Sequence, residues 1–289
     1  MNAALLAQLS APALDAFSAT LLGIVEGITE FLPISSTAHL ILTSHALGLA
    51  ESEFLKSFEI IIQFGAILSV VVLYWRRFLD IDVLKKVVVA VIPTGLIGLT
   101  VYKVIKGFLM GSLTVVLLSL LIGGVALIVF ERFREEDDRD VDFAEITYRK
   151  AFLIGLFQAI AVIPGVSRSA ATIVGGSLLG VSKRTIVEFS FILAVPTMLA
   201  ATGLELVKSQ TALSGNFGVL GIGFVVSFIT AIAWKRPIRK AFRYVISEKS
   251  TSRSSSSLKR SNTMSAAPPM SNDSSTTVRL PIRNPLMTL

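Results

Sequence analysis

The sequence predicts an all-α polytopic membrane protein, an inverted-topology repeat with two re-entrant helical hairpins and about five to six transmembrane helices. The first observation is composition. Of 289 residues, 53% are hydrophobic and 16% are charged, with a mean hydropathy of +0.72, whereas soluble domains carry about 25% charged residues. The second is a series of long apolar segments, and the third is a pair of proline-containing breaks in corresponding halves of the chain.

Nine apolar segments follow one another along the chain, and a spanning helix needs roughly 20 apolar residues. Five approach or reach that length: 58–75, 84–105, 112–130, 186–207 and 217–234. Four shorter segments form two pairs: 17–32 with 36–50, and 151–163 with 169–180. A polar break interrupts each pair, at 33–37 and at 164–169, which is typical of re-entrant hairpins that meet at an intramembrane site.

The two halves of the chain are weakly similar. Residues 23–28 match 155–160 at an offset of 132, and residues 33–36 match 164–167 at an offset of 131. This similarity indicates an internal duplication. The predicted units are repeat one (about 17–131) and repeat two (about 150–245), within a membrane-embedded domain, 1–248.

The net charge of +7 is concentrated at the C-terminal end. Residues 249–289 hold six basic residues and one acidic residue, and 16 of these 41 residues are Ser or Thr. This composition predicts a disordered, basic tail beside a membrane, so we expect no nucleic-acid partner. Basic residues also mark four segments that we place on the cytoplasmic face: 76–86, 131–150, 183–184 and 235–243. The first hairpin then starts outside and the second starts inside.

Few residue types are available for chemistry. The chain has no Cys and two His, which excludes thiol chemistry and a His-rich metal cage. Glu26, Glu30, His39 and Arg168 lie inside or against the two breaks, where a charge costs about 2.5–3.5 kcal/mol on insertion scales. We therefore expect them to face one another, water or a ligand.

Spacing predicts which groups of the first break converge. Glu26 and Glu30 are four residues apart and share one helix face, and Ser36 and His39 are three apart on the next half-helix. Ser35 is the expected N-cap of that half-helix, which leaves backbone N–H groups pointing into the break.

Arg168 occupies the corresponding place in the second break, with hydroxyls nearby at Ser167, Ser169 and Thr172. Two half-helix N-termini, several hydroxyls and one guanidinium are typical of an anion site. A carboxylate pair beside a phosphate is repulsive unless a divalent cation, Mg2+ or Ca2+, bridges them.

Each feature also has an ordinary interpretation. Serines in transmembrane breaks cap helices or contact other helices, and an Arg near a helix end extends to the lipid headgroups. A pair of Glu residues also serves as a proton relay in transporters. The placement of all these groups on two pseudo-symmetric breaks favours a phosphate site.

Residues 26–40 (EGITEFLPISSTAHL) and 164–172 (PGVSRSAAT) closely resemble the two signature motifs of the bacterial undecaprenyl-diphosphate phosphatase (BacA/UppP) family, and the similarity runs from about residue 15 to about residue 245. The resemblance implies hydrolysis of undecaprenyl diphosphate to undecaprenyl phosphate plus phosphate. This reaction recycles the lipid carrier for peptidoglycan and cell-wall synthesis and contributes to bacitracin resistance. The resemblance also implies a divalent metal cofactor and an active site that opens to the periplasmic side of the inner membrane.

Residue roles follow from motif position in this resemblance. The implied sets are catalytic (Glu30, Ser36, His39, Arg168), phosphate-binding (Ser35, Ser167, Arg168, Ser169, Thr172) and metal-binding (Glu26, Glu30). Ser36 is the first choice for nucleophile with His39 as general acid/base, and direct attack by His39 is the alternative.

The expected partners are undecaprenyl diphosphate and membrane lipid, and a homo-oligomer is left open. The alternative function is a transporter or flippase of a polyprenyl phosphate or another anionic lipid. The C-terminal end departs from the family pattern, because family members usually finish with one more apolar helix. Here Ile246 leads into the Ser-rich tail.

Overall fold

The computed structural model describes residues 13–108, 112–133 and 139–234, and all regular structure in these ranges is helical. The helices longer than one turn are α1 (Ala16–Thr29), α2 (Ser36–Ala46), α3 (Glu53–Leu73), α4 (Ile81–Phe108), α5 (Leu113–Phe133), α6 (Tyr148–Ala159), α7 (Arg168–Leu178), α8 (Lys183–Lys208) and α9 (Phe217–Trp234). Short helical turns lie at Trp75–Leu79, Phe143–Glu145, Ile160–Val162 and Gln210–Leu213. The predicted tail, 249–289, and the basic segment 235–243 lie outside the described residues.

Five described helices are long and apolar enough to cross a membrane: α3, α4, α5, α8 and α9. They coincide with the five long segments predicted from the sequence, so the prediction of an all-α polytopic membrane protein is confirmed. The α5 helix has the highest hydropathy of the five, 2.8, and only 6% of its most apolar window is buried inside the protein. A helix that is apolar on all sides and so little buried has the composition of a lipid-facing span.

Two short helix pairs form the predicted hairpins. The first arms, α1 and α6, begin at residues 16 and 148, and the second arms, α2 and α7, begin at residues 36 and 168. Both differences are 132 (148 − 16 and 168 − 36). The serines that cap the second arms, Ser35 and Ser167, are therefore equivalent. The sequence-based match of Pro33 to Pro164 is one residue out of register, because the capping serines set where each helix begins.

One end of the molecule is held together by the segments around α6. Arg77, in the turn after α3, forms an ion pair with Glu188 of α8 at 2.7 Å. The Ser182 N–H, just before α8, donates to a Glu145 carboxylate oxygen at 2.7 Å. Because α6 begins and α7 ends beside these groups, the second hairpin enters and leaves at this end, which carries the described residues of the predicted cytoplasmic segments 76–86, 131–150 and 183–184.

The opposite end is held together by the segments around α1 and α2. Ser57 near the start of α3 donates to Glu205 near the end of α8 at 2.7 Å. With the Arg77–Glu188 pair at the other ends of these helices, α3 and α8 are antiparallel. Ser44, near the end of α2, donates to Glu59 of α3 at 2.7 Å. The first hairpin thus enters and leaves at the end opposite to the second, as an inverted repeat requires.

Each hairpin also packs on a spanning helix of the other repeat through a glycine. At Gly155 of α6, a Cβ would lie 2.0 Å from the Ala90 carbonyl oxygen and 2.6 Å from Pro93 of α4. At the equivalent Gly23 of α1, a Cβ would lie 2.8 Å from the Gly223 carbonyl oxygen of α9. The repeats are therefore interlocked, because α4 of repeat one covers hairpin two and α9 of repeat two covers hairpin one.

The Gly155 contact predicts a specific loss of stability. Gly155→Ala is expected to lower the free energy of unfolding by about 1–3 kcal/mol, because the new methyl group forces α4 and α6 apart. Gly95→Ala in α4 is the matched control, since its Cβ would meet no atom within 4 Å and alanine favours helix by about 1 kcal/mol over glycine. Thermal unfolding in detergent measures both. Equal melting temperatures for Gly155→Ala and the wild type would contradict this packing.

Candidate active site

The first break begins where α1 ends. Glu30 is the C-cap of α1, and its N–H donates to the Glu26 carbonyl oxygen at 3.0 Å. Ser35 caps α2 by accepting the Ala38 N–H at 3.4 Å, and its φ of +66° lies in the left-handed region that non-glycine residues rarely adopt. Such backbone strain is concentrated at functional sites. The capping role of Ser35 was predicted, whereas its backbone conformation was not.

Glu30 is the point at which the two hairpins meet. One carboxylate oxygen accepts the Ser36 hydroxyl at 2.5 Å, and the other forms an ion pair with the Arg168 guanidinium. The Glu30 side chain is only 5% exposed and that of Arg168 19%. A second contact joins the same two breaks, because the Ser169 hydroxyl donates to the Leu32 carbonyl oxygen at 3.3 Å. The acidic group and the guanidinium therefore share one site, as the intramembrane charges led us to expect.

An aromatic contact supports the first break from the side. The ring of Phe31 packs edge-on against Phe191 of α8, with 5.2 Å between ring centroids. Such edge-to-face pairs contribute about 0.5–1.5 kcal/mol beyond the burial of their area. Phe31 directly follows Glu30, so this contact holds the carboxylate in place against a rigid spanning helix.

Two buried polar groups at the site lack a partner among the described residues. Glu26 is fully buried and neither of its carboxylate oxygens has a hydrogen-bond partner there. Arg168 uses one terminal nitrogen for Glu30, while its Nη1 is likewise buried and unpartnered. Burying unpaired groups of this kind is costly. A cation beside Glu26 and an anion beside Arg168 Nη1 would satisfy them.

The histidine of the first motif faces its own helix cap. His39 Nδ1 lies 2.8 Å from the Ser35 carbonyl oxygen. A carbonyl oxygen only accepts, so Nδ1 carries the proton and Nε2 is the nitrogen left to accept one. The Ser36 hydroxyl donates to Glu30 and not to His39. The structure thus brings Ser36 together with Glu30, and the predicted role of His39 as general acid/base stays a prediction.

The hydroxyls around Arg168 differ in what they already contact. Ser167 caps α7 by accepting the Ala170 N–H at 3.2 Å, and its hydroxyl lies 3.1 Å from that of Ser169. Thr172 is fully buried and its hydroxyl lies 2.5 Å from that of Ser190 on α8. This contact fastens α7 to α8, and the predicted phosphate-binding role of Thr172 stays a prediction.

The carboxylates fit a divalent cation in number and type. Glu26 offers two unpartnered oxygens one helical turn from Glu30. In the described parts of the chain, no three His, Cys, Asp or Glu side chains could hold a metal ion between them. A cation here would take its remaining ligands from phosphate oxygens and water. Mg2+ is commonly held in this way, by one or two carboxylates and substrate phosphates.

Comparison with known proteins places the chain in a family. A family model described as "Bacitracin resistance protein BacA" matches residues 19–245. The chain belongs to the BacA family. The match begins three residues into α1 and includes the rest of both hairpins and all five candidate spans. The resemblance inferred from the two motifs is thereby confirmed.

Several proteins named undecaprenyl-diphosphatase are similar to this chain over most of their length. A protein of Aquifex aeolicus named undecaprenyl-diphosphatase is 54% identical over 218 residues, which cover 75% of this chain and 85% of that protein. Proteins of the same name from Sulfurihydrogenibium sp. and Wolinella succinogenes are 49% and 48% identical, and the alignments cover 85% and 86% of those proteins.

Proposed function

We propose that this chain is an undecaprenyl-diphosphatase that hydrolyses undecaprenyl diphosphate to undecaprenyl phosphate and phosphate. The observation that carries the proposal is the contact of Glu30 with both Ser36 and Arg168 where the two hairpins meet. The BacA family match and the names of the relatives support the same activity. The reaction recycles the lipid carrier for cell-wall synthesis and confers bacitracin resistance, since that antibiotic captures the diphosphate form.

Binding of the diphosphate rests on groups that the two breaks direct to one place. Arg168 Nη1 is buried and has no hydrogen-bond partner among the described residues, so it is free to donate to a phosphate oxygen of the substrate. The N-termini of α2 and α7, each a helix of 11 residues, add backbone N–H groups and the positive ends of two helix dipoles. Ser35, Ser167 and Ser169 line the same breaks and would supply further hydroxyls.

Ser36 is the nucleophile in this proposal. Its oxygen attacks the terminal phosphorus, a bond forms between that oxygen and phosphorus, and the bond to the bridging oxygen breaks. Glu30, which already accepts the Ser36 hydroxyl, takes the proton. Undecaprenyl phosphate leaves with the bonding electron pair, and water then cleaves the phosphoserine to release phosphate. Arg168 stabilises the charge that the phosphoryl oxygens carry in the transition state.

Glu26 and Glu30 would hold a divalent cation, Mg2+ or Ca2+. Such an ion neutralises phosphate charge when it is bound. The protein's own part is to present the Glu26 oxygens without competing partners in a buried position. A cation held in this way would offset the repulsion between the two carboxylates and an anionic substrate.

The polyprenyl chain would lie against apolar helix surfaces, with the diphosphate between the hairpins. We place the protein in the bacterial inner membrane with the site open to the periplasmic side. Basic residues at the end formed by Arg77, Glu188 and the segments around them support this orientation, because the positive-inside rule assigns that end to the cytoplasm.

The direct test is phosphate release by purified protein in detergent, with farnesyl or undecaprenyl diphosphate as substrate. Release is expected without any membrane, to stop when a chelator removes divalent cations, and to return when Mg2+ or Ca2+ is added. Release that is unaffected by the chelator would refute the metal assignment alone. A folded protein that binds the lipid without releasing phosphate would support the transporter instead.

A further inference from the structure

Two hydrogen-bonded contacts join α2 to α3 along what we call the polar seam, formed by Thr37, Ser44, Glu59 and Gln63. The Thr37 hydroxyl donates to the Gln63 side-chain oxygen at 3.3 Å, and the Ser44 hydroxyl donates to Glu59 at 2.7 Å. The Gln63 amide nitrogen in turn donates to the Glu59 carbonyl oxygen at 3.0 Å, which fixes how its side chain is oriented. Thr37 directly follows Ser36, so the seam ends beside the proposed nucleophile.

The polar seam buries three of its four side chains between α2 and α3. Ser44, Glu59 and Gln63 are 5%, 8% and 9% exposed. Polar groups at such burial cost free energy that their hydrogen bonds only offset. Apolar side chains would pack the same faces without that cost, so stability alone does not account for these residues.

The second repeat packs its second arm with different residues at the positions of Glu59, Gln63 and Ser44. Counted from the capping serines Ser52 of α3 and Ser182 of α8, Glu59 corresponds to Phe189 and Gln63 to Leu193. Counted from Ser35 and Ser167, Ser44 corresponds to Gly176. Phe189 and Leu193 are fully buried, and Gly176 lies against Ile186. Repeat two therefore has apolar groups at these three positions, and a single buried hydroxyl pair, Thr172 with Ser190, joins its second arm to α8 among the described residues.

The two repeats differ in what their second arms carry at the site. The second arm of repeat one begins with Ser36, whereas that of repeat two begins with Arg168. A guanidinium on a long side chain tolerates small displacements of its helix. A nucleophile on a short side chain does not, because a displacement of about 1 Å can cost about a hundredfold in rate. The polar seam contacts α2, the arm whose first residue, Ser36, has to be placed more exactly than Arg168.

We infer that Gln63 is a positioning residue that holds the first turn of α2 through Thr37 and so keeps the Ser36 hydroxyl directed at Glu30. The contacts run from Gln63 to Thr37, and from the adjacent Ser36 to Glu30. Gln63 lies on α3, and its hydrogen bonds in the described chain go to Thr37 and to the Glu59 carbonyl oxygen, not to Glu30 or Arg168. This inference rests on the proposed function, because it assigns Gln63 a part in presenting the nucleophile.

Gln63→Leu is the direct test, since leucine is the residue that repeat two has at this position. In the phosphate-release assay kcat is expected to fall about tenfold, which corresponds to about 1.4 kcal/mol in the barrier, with KM within about twofold of the wild type. The melting temperature is expected to be equal or higher. Thr37→Val should reproduce the fall, and Thr37→Ser, which keeps the hydroxyl, should restore kcat.

A double variant tests whether Gln63 and Thr37 affect kcat through one shared contact or independently of each other. Gln63→Leu with Thr37→Val is expected to be no slower than either single variant, because both remove the same contact. Ser57→Ala is the matched control: Ser57 is also a buried hydroxyl of α3, but it contacts Glu205 of α8 rather than α2. It should keep the wild-type kcat.

The inference is overturned if Gln63→Leu keeps the wild-type kcat, if its kcat falls only together with its melting temperature, or if the two single losses multiply in the double variant. A wild-type protein without phosphatase activity would instead refute the proposed function. An active wild type with an unimpaired Gln63→Leu variant would refute this inference alone.

Discussion

Replacing Arg168 with alanine is expected to lower kcat/KM for a polyprenyl diphosphate by at least about a thousandfold. A transition-state arginine in phosphoryl transfer contributes a factor of about 10³ to 10⁵. Arg168 is the guanidinium that the second break directs at Glu30. Its removal would take away both the phosphate ligand and the partner that neutralises the carboxylate. Phosphate release from purified protein measures the loss.

Folding has to be measured alongside activity for this variant. Removing one partner of a buried ion pair costs about 3–5 kcal/mol, because the other charge stays buried and unpaired. Arg168→Lys is therefore the second variant, since it keeps the positive charge but loses the branched guanidinium that reaches Glu30 and a phosphate together. We expect it to fold and to lose activity at least about a hundredfold. Near-normal turnover in either folded variant would contradict the assigned role.

Ser36→Ala is expected to have the largest effect of any single substitution in the chain. Removing the nucleophile of an enzyme that forms a covalent intermediate lowers kcat by about 10⁴ to 10⁶. The Glu30 carboxylate would also lose the hydroxyl that it accepts at 2.5 Å. Ser69→Ala is a suitable control, because Ser69 is a fully buried serine of α3 whose hydroxyl has no partner among the described residues.

A trapping experiment distinguishes Ser36 from His39 as the attacking group. Wild-type protein quenched during turnover should carry phosphate that is stable in acid, as a phosphoserine is, and Ser36→Ala should carry none. Acid-labile phosphate that persists in Ser36→Ala would identify His39 as the nucleophile. His39 Nδ1 bonds the Ser35 carbonyl oxygen, so Nε2 would be the attacking atom in that case.

The fold class followed from composition and segment length because a membrane permits few backbone arrangements. An apolar segment of about 20 residues has to form a helix to satisfy its own N–H and C=O groups. The five spans were therefore predictable one by one. The register of the hairpins was not, because proline marks a break without stating which residue caps the next helix. The register is set by Ser35 and Ser167, which cap the second arms of the two hairpins.

The sequence singled out the groups that meet between the hairpins, Glu30, Ser36 and Arg168, but it did not predict all of their contacts. Charges inside apolar segments singled out Glu26, Glu30, His39 and Arg168. Spacing along one helix suggested that Ser36 would act with His39, whereas the folded chain joins Ser36 to Glu30 across the break. Residue spacing predicts which side chains are neighbours only within one helix. Because the turn at 30–35 is not helical over its length, spacing could not predict the contact between Glu30 and Ser36.

The role of Gln63 was not predicted from the sequence for a related reason. A single polar amide in the apolar helix α3 is compatible with many surroundings. An available signal was its place four residues after Glu59, which puts two polar groups on one helix face. Only the packing of α2 on α3 shows that this face meets Thr37 and Ser44.

The sequence by itself determined a helical membrane protein with two broken hairpins and a few buried charges, since hydropathy and the cost of burying charge act on each segment separately. The tertiary structure decided which charges meet, because Glu30 and Arg168 lie 138 residues apart and are joined only when hairpins from opposite ends come together. It also decided that Gly155 and Gly23 interlock the repeats, because close approach between helices depends on both surfaces at once.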